Sequence, residues 1–214
     1  DTVSMALTPM TLTARMIRTQ HPHAKIVFVG PCSAKKLEAM RKSVRSEVDF
    51  VLTFEEMAGM MDAREIDYLA LEDDNKSDFD VASRDGRDFA VAGGVANAVV
   101  NAIHRRYPER EVNIVGAEGL EDCRKMMRAA VKGKYPGYLM EGMACPGGCV
   151  AGAGTLVSVA KSTGAVHRYA KRSPRQNSTE NSYRMLIPML EQGFTKDDED
   201  TEVSESREAQ VPKA

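Results

Sequence analysis

Tryptophan is absent from this 214-residue chain, and cysteine occurs only four times. Four cysteines are too few for a disulfide scaffold, which leaves metal binding, catalysis or ordinary packing as their uses. Charge of one sign is lacking too. A net charge of -2 and a pI near 6.2 offer no electrostatic case for nucleic acid or an anionic membrane. The short basic clusters His104-Arg105-Arg106 and Lys171-Arg172-Ser173-Pro174-Arg175 read as solvated surface. No run approaches the roughly 18 consecutive apolar residues of a membrane span. Residues 1–20 lack the basic-then-apolar layout of a signal peptide. A soluble cytoplasmic protein is therefore expected, without nucleic-acid or membrane partners. No internal repeat is evident. Thirteen methionines are plentiful by contrast, and their soft thioethers suit irregular interior gaps.

In chain order, Thr8-Pro9 predicts an N-cap followed by proline at the first helical position, with a helix ending near Gln20 at His21-Pro22. Lys25 to Gly30 reads as a strand, and its continuous apolar run Ile26-Val27-Phe28-Val29 predicts a parallel sheet covered on both faces. Ser33 through Ser43 predicts a polar loop or helix. Val48 to Thr53 predicts a second strand, and Thr53-Phe54-Glu55-Glu56 caps a helix through Met61. Ile66-Asp67-Tyr68 starts a short further segment, and Asp73 to Arg87 is polar enough for a surface connection. The pattern restarts at Phe89. A helix over Val95–Ile103, a strand at Val112–Val115, a helix over Leu120–Val131 and a strand at Tyr138–Glu141 follow. This alternation marks an α/β layer with parallel strands. A helix over Leu156–Ala160 and a final amphipathic helix over Asn181–Leu190 complete the expected elements, before an acidic tail read as disordered.

Two stretches carry the chemistry. The strand ending at Val29 runs into Gly30-Pro31-Cys32-Ser33-Ala34-Lys35-Lys36, which puts Cys32 at a strand's carboxyl end, where ligands of open α/β sheets gather. Glu141-Gly142-Met143-Ala144-Cys145-Pro146-Gly147-Gly148-Cys149-Val150-Ala151-Gly152-Ala153-Gly154 holds two more cysteines, three residues apart. Such a pair equally suits buried free cysteines, which behave as small hydrophobes. The flanking glycines point the other way, because they let backbone approach a bulky group and expose amides to it. Zinc favours a local knuckle with a fourth Cys or His, and no histidine flanks either stretch. Thiolates brought from distant parts of the chain fit an iron–sulfur cluster better. Cys123 lies within a predicted helix beside no Gly or Pro and reads as structural. Lys35 is either surface charge or an ammonium turned toward an anionic ligand, and Met143 is either core or a cofactor neighbour.

Together these stretches resemble the catalytic, H-cluster domain of [FeFe]-hydrogenases. Gly30 to Glu38 looks like the family's second cysteine motif and Glu141 to Gly154 like its third, with further similarity at Val51–Glu56, Gly93-Gly94-Val95 and Glu118-Gly119-Leu120. The resemblance implies an α/β fold of two lobes, with parallel or mixed sheets flanked by helices and the iron–sulfur site in the cleft between them. The first lobe is expected over 1–75, the second over 76–194 and the tail over 195–214. It implies a [4Fe–4S] cluster joined to a di-iron subsite carrying CO, cyanide and an azadithiolate bridge. Cys32 and Cys145 would be cubane ligands, and Cys149 the ligand bridging cubane to di-iron unit. Pro31, Ser33, Gly147 and Gly148 would line the cofactor. Lys35 would hold a cyanide by a charge-assisted hydrogen bond, and Met143 would pack beside the di-iron unit. Implied partners are H2, protons and an electron donor such as ferredoxin. The family's first motif, Thr-Ser-Cys-Cys-Pro, is absent and is expected upstream of Asp1 in a truncated domain that does not turn over alone. The alternative is a non-catalytic iron–sulfur sensor or assembly-type relative of the same fold.

Overall fold

A computed structural model describes residues 3–71 and 82–185. Helix α1 (Pro9–Gln20) starts where the sequence predicts, with Thr8 Oγ1 accepting from the Thr11 N–H at 3.4 Å and Pro9 at the first helical position. It stops at His21, before Pro22. Strand β1 (Val27–Gly30) leads into helix α2 (Ala34–Met40), and β2 (Phe50–Thr53) runs directly into helix α3 (Phe54–Asp62). A full capping box closes that junction. The Glu56 N–H donates to Thr53 Oγ1 at 3.1 Å, and the Thr53 N–H donates to Glu56 Oε2 at 2.8 Å.

After a single helical turn α4 (Arg84–Arg87) come α5 (Gly94–Arg106), β3 (Ile114–Glu118), α6 (Leu120–Val131), β4 (Leu139–Met143) and α7 (Val159–Lys171). Strands β3 and β4 pair in parallel, from Ile114 beside Leu139 to Glu118 beside Met143. Helix α6 is the crossover between them and packs on both. β1 and β2 form a second two-stranded sheet. The fold is thus mixed α/β, with short sheets flanked by helices. Several of the buried positions are small: Ala14 in α1, Ala96 and Ala98 in α5, and Ala170 in α7.

Four expectations need correction. β1 is not covered on both faces, since Val27 is 46% and Val29 39% exposed. The two-residue repeat of a strand puts those valines on one face and the better-covered Phe28 and Gly30 on the other. Helix α7 begins after Ser158 and continues to Lys171, well beyond the expected Ala160. Asn181 is followed by a 3-10 turn over Ser182–Met185, and Ile66–Tyr68 forms no regular element. Residues 73–81 of the expected connection, 186–190 of the final helix and the acidic tail lie outside the described residues.

The chain divides into two units, one of residues 3–29 and 34–52 with Met185 and the other of Gly30–Ser33 with the described residues of 53–184. In the first unit Asp49 organises the entry to β1. Its carboxylate accepts from the Ile26 N–H at 2.8 Å, Lys25 Nζ at 3.0 Å and Arg18 Nη2 at 3.1 Å. The backbone bond from Ile26, with the two cations, lowers its pKa to about 2. A depressed carboxylate contributes stability that is complete above the unfolded value near ~3.9 and is lost as pH falls toward the folded one. Thermal melts should therefore weaken between about pH 4 and pH 2, and Asp49→Asn should flatten that dependence while lowering stability at neutral pH.

Candidate metal centre

Beyond β4 the backbone folds back on itself in two successive turns. The Gly148 N–H donates to the Cys145 carbonyl at 2.9 Å, and the Gly152 N–H to the Cys149 carbonyl at 2.9 Å. Cys145 and Cys149 therefore each open a turn of one loop, anchored by Val150, which is 5% exposed. The loop lies flat on the segment before α5. The Ala92 N–H donates to the Gly147 carbonyl at 3.1 Å, and a Cβ at Gly148 would sit 2.5 Å from Ala92 N and 2.8 Å from Val91 C. Gly148 also holds φ 92° and ψ -160°, a region essentially closed to other residues. The close approach that requires glycine here is thus to the protein's own backbone.

The same loop meets the turn carrying Cys32. The Gly154 N–H donates to the Pro31 carbonyl at 2.9 Å, and a Cβ at Gly152 would overlap that carbonyl. Gly154 packs on Thr53 in the same way, while its carbonyl accepts from the Glu55 N–H at 3.3 Å. Pro31-Cys32 and Cys145–Gly154, from different halves of the chain, are therefore fastened together within one unit. Cys32 and Cys145 are half-buried and Cys149 is exposed, and no disulfide joins any of them. Among the described residues, no three Cys, His, Asp or Glu side chains stand gathered as a metal-binding group.

Two carboxylates that the sequence reading left without a role pair with backbone amides here, one at the start of α5 and one on this loop. Glu141, on β4, accepts from the Gly93 N–H at 2.6 Å and the Ala96 N–H at 2.9 Å. It caps α5 from another element, at a helix start whose own Gly93 has no side chain to offer. Glu118, at the end of β3, accepts from the Gly147 N–H at 2.6 Å. Neither pairing is visible by spacing, since a backbone N–H has no sequence signature.

The other expected site residues fall as follows. Ser33 is exposed. Met143 ends β4, and its carbonyl accepts from the Gly119 N–H at 2.8 Å. Cys123 directs its thiol to the Ala117 and Met143 carbonyls at 3.4 and 3.6 Å, a structural engagement. Lys35 belongs to the first unit, where its ammonium pairs with Glu38 at 2.6 Å. Glu38 also accepts from the Thr8 and Thr11 hydroxyls. Burial pushes the Glu38 carboxyl up, but the bonds from Lys35, Thr8 and Thr11 outweigh it and hold the carboxyl below its ordinary value.

Comparison with known proteins decides the family. The family model for the iron-only hydrogenase large subunit, C-terminal domain, matches residues 1–153. The chain belongs to that family. Among curated iron-hydrogenase relatives, it is 30% identical over 162 residues to the periplasmic [Fe] hydrogenase large subunit of Nitratidesulfovibrio vulgaris, covering 61% of this chain and 38% of the relative. It is 26% identical over 244 residues to the NADP-reducing hydrogenase subunit HndD of Solidesulfovibrio fructosivorans, covering 92% of this chain and 41% of the relative. The chain thus spans about two fifths of the length of these curated relatives. Its fold is similar to an [FeFe]-hydrogenase structure from work on oxygen inactivation of the H cluster. That match has a TM-score of 0.65 at 20% identity and covers 87% of this chain and 64% of the other.

The donor types in this hydrogenase-family domain are those of a thiolate-bound cluster, and among the described residues their side chains are not gathered into one group. Three cysteines sit on two fastened loops, the fourth cysteine is engaged elsewhere, and no histidine flanks either motif. Among the described residues, no helix is long and apolar enough to cross a membrane.

Proposed function

We propose that Cys32, Cys145 and Cys149 supply three thiolates to a [4Fe–4S] cluster, and that this chain forms part of an [FeFe]-hydrogenase catalytic domain for reversible H2 oxidation and proton reduction. The observation that carries the reading is the Gly154–Pro31 hydrogen bond, which unites the Cys32 turn with the Cys145–Cys149 loop. Family membership supports it. When bound, the cluster and its di-iron subsite with CO, cyanide and azadithiolate would pass electrons to or from the redox partner and offer the open metal position for the reaction.

The chain's own residues would bind and orient that group. Cys149 would bridge cubane to di-iron unit, with Met143 packed nearby. Pro31, Ser33, Gly147 and Gly148 would line the site. Lys35, whose ammonium pairs with Glu38, would hold a cyanide by a charge-assisted hydrogen bond, as the family resemblance implies. The fourth cubane ligand is proposed to come from the family's first cysteine motif, which this sequence does not contain. Ferredoxin is the proposed electron donor. A cytoplasmic location accords with thiols unlinked by disulfides, although one relative is named a periplasmic protein.

The test is infrared spectroscopy of the chain produced with the hydrogenase maturation machinery, together with the polypeptide carrying the first motif. Bands of iron-bound CO and CN, with H2 evolution from a reduced donor, are expected. Cluster iron without those bands would assign the chain to the non-catalytic iron–sulfur class instead.

A further inference from the structure

Parallel pairing of β3 with β4 sets Glu118 beside Met143, two residues before Cys145. From there the Glu118 carboxylate reaches over the loop and accepts from the Gly147 N–H at 2.6 Å. On its other side the Gly147 carbonyl accepts from the Ala92 N–H. Both groups of the residue midway between Cys145 and Cys149 are thereby spoken for, one by an ionised side chain and one by backbone. Bonds to a carboxylate are roughly twice as strong as neutral ones, so Glu118 is the firmer of the two restraints.

Thiolate clusters respond to such details. Amide N–H groups in ligand loops donate to cluster sulfur, and both those bonds and nearby charge set the reduction potential. At Gly147 the carboxylate has taken the N–H for itself and added a negative charge beside the loop. Adding an electron to a cluster is harder next to a fixed anion, and a withdrawn amide donor acts in the same direction.

Building on the proposed ligation, we infer that Glu118 is a positioning residue for the Cys145–Cys149 loop, and that its carboxylate lowers the reduction potential of the cluster those thiolates hold. Glu118 is exposed, so solvent and salt screen its charge. The expected effect of removing it is about a threefold rise in the ratio of reduced to oxidised cluster at a fixed potential near the midpoint.

Three variants of the full chain separate charge from geometry: Glu118→Gln keeps an acceptor but loses the charge, Glu118→Ala loses both, and Glu121→Gln removes an exposed charge on α6. After anaerobic reconstitution, a redox titration followed by electron paramagnetic resonance should show a positive shift for Glu118→Gln. A larger shift with lower iron loading is expected for Glu118→Ala, and none for Glu121→Gln. Unshifted potentials in both Glu118 variants at wild-type loading would overturn the inference about potential.

A second measurement needs no cluster. In the metal-free chain, iodoacetamide should alkylate the half-buried Cys145 about threefold faster in Glu118→Ala than in wild type, with Cys123 unchanged and circular dichroism confirming the fold. A rise of this size is what loss of a bond worth somewhat under one tenfold step produces. Equal rates would overturn the positioning role. A wild-type chain that takes up no cluster while Cys145 still responds would count against the proposed ligation and leave the positioning role standing.

Discussion

Replacing Gly148 with alanine is expected to lower the unfolding free energy by about 4 kcal/mol, combining backbone strain with overpacking. Both terms come from the same place. Gly148 holds φ 92° and ψ -160°, and its added Cβ would stand 2.5 Å from Ala92 N and 2.9 Å from the Ala90 carbonyl oxygen. Those neighbours are backbone of the segment that feeds α5, and that helix is capped from β4 by Glu141. The strain therefore cannot be relieved by turning a side chain aside. Urea unfolding of wild type and variant, analysed at constant slope, measures the loss. Gly59→Ala is the matched control. Gly59 lies in the exposed face of α3 with nothing within 4 Å of the added methyl, so that change should stabilise by about 0.5–1 kcal/mol. A Gly148 variant that unfolds like wild type would mean that the loop does not pack as described.

Changing Cys149 to alanine is expected to remove cluster iron, leaving less than about a tenth of the wild-type content, because a lost direct ligand costs more than the 10–100-fold of an outer-shell partner. Cys145→Ala should behave alike, since the two thiols sit on one loop. Cys123→Ala is the contrast. Its thiol is turned to the Ala117 and Met143 carbonyls, so iron content should hold while stability falls modestly. Iron and acid-labile sulfide assays on anaerobically reconstituted protein separate these outcomes. Full iron in Cys149→Ala, or empty protein in Cys123→Ala, would reverse the assignment of the two cysteine types.

What the sequence made legible was mostly local. The Thr53/Glu56 capping box, the Thr8-Pro9 helix start and the limits of α6 all follow from residues three or four apart, whose geometry a helix dictates. The family resemblance likewise rested on contiguous motifs and agrees with the matched family model. Long-range details were hidden. The glycines of the cysteine loop announced close approach, but not that Gly148 faces Ala90–Ala92 or that Gly152 faces Pro31. Glu118 and Glu141 were invisible because each pairs with amides far away in the chain. The exposed face of β1 was missed for a different reason: an apolar run reports the preference of its side chains, and not how many neighbours a two-stranded sheet can supply. The Lys35–Glu38 pair was within reach, being an i,i+3 contact on α2.

The central claim is that the Cys32 turn and the Cys145–Cys149 loop serve one cluster. Iron and acid-labile sulfide per chain, measured after anaerobic reconstitution of wild type and Cys32→Ala side by side, each with the polypeptide carrying the first motif, test it most directly. About four of each are expected in wild type, as a cubane requires, with loss of both from Cys32→Ala even though that substitution leaves Cys145 and Cys149 in place. Full cluster content in Cys32→Ala would contradict it, and would confine any metal to the second loop alone.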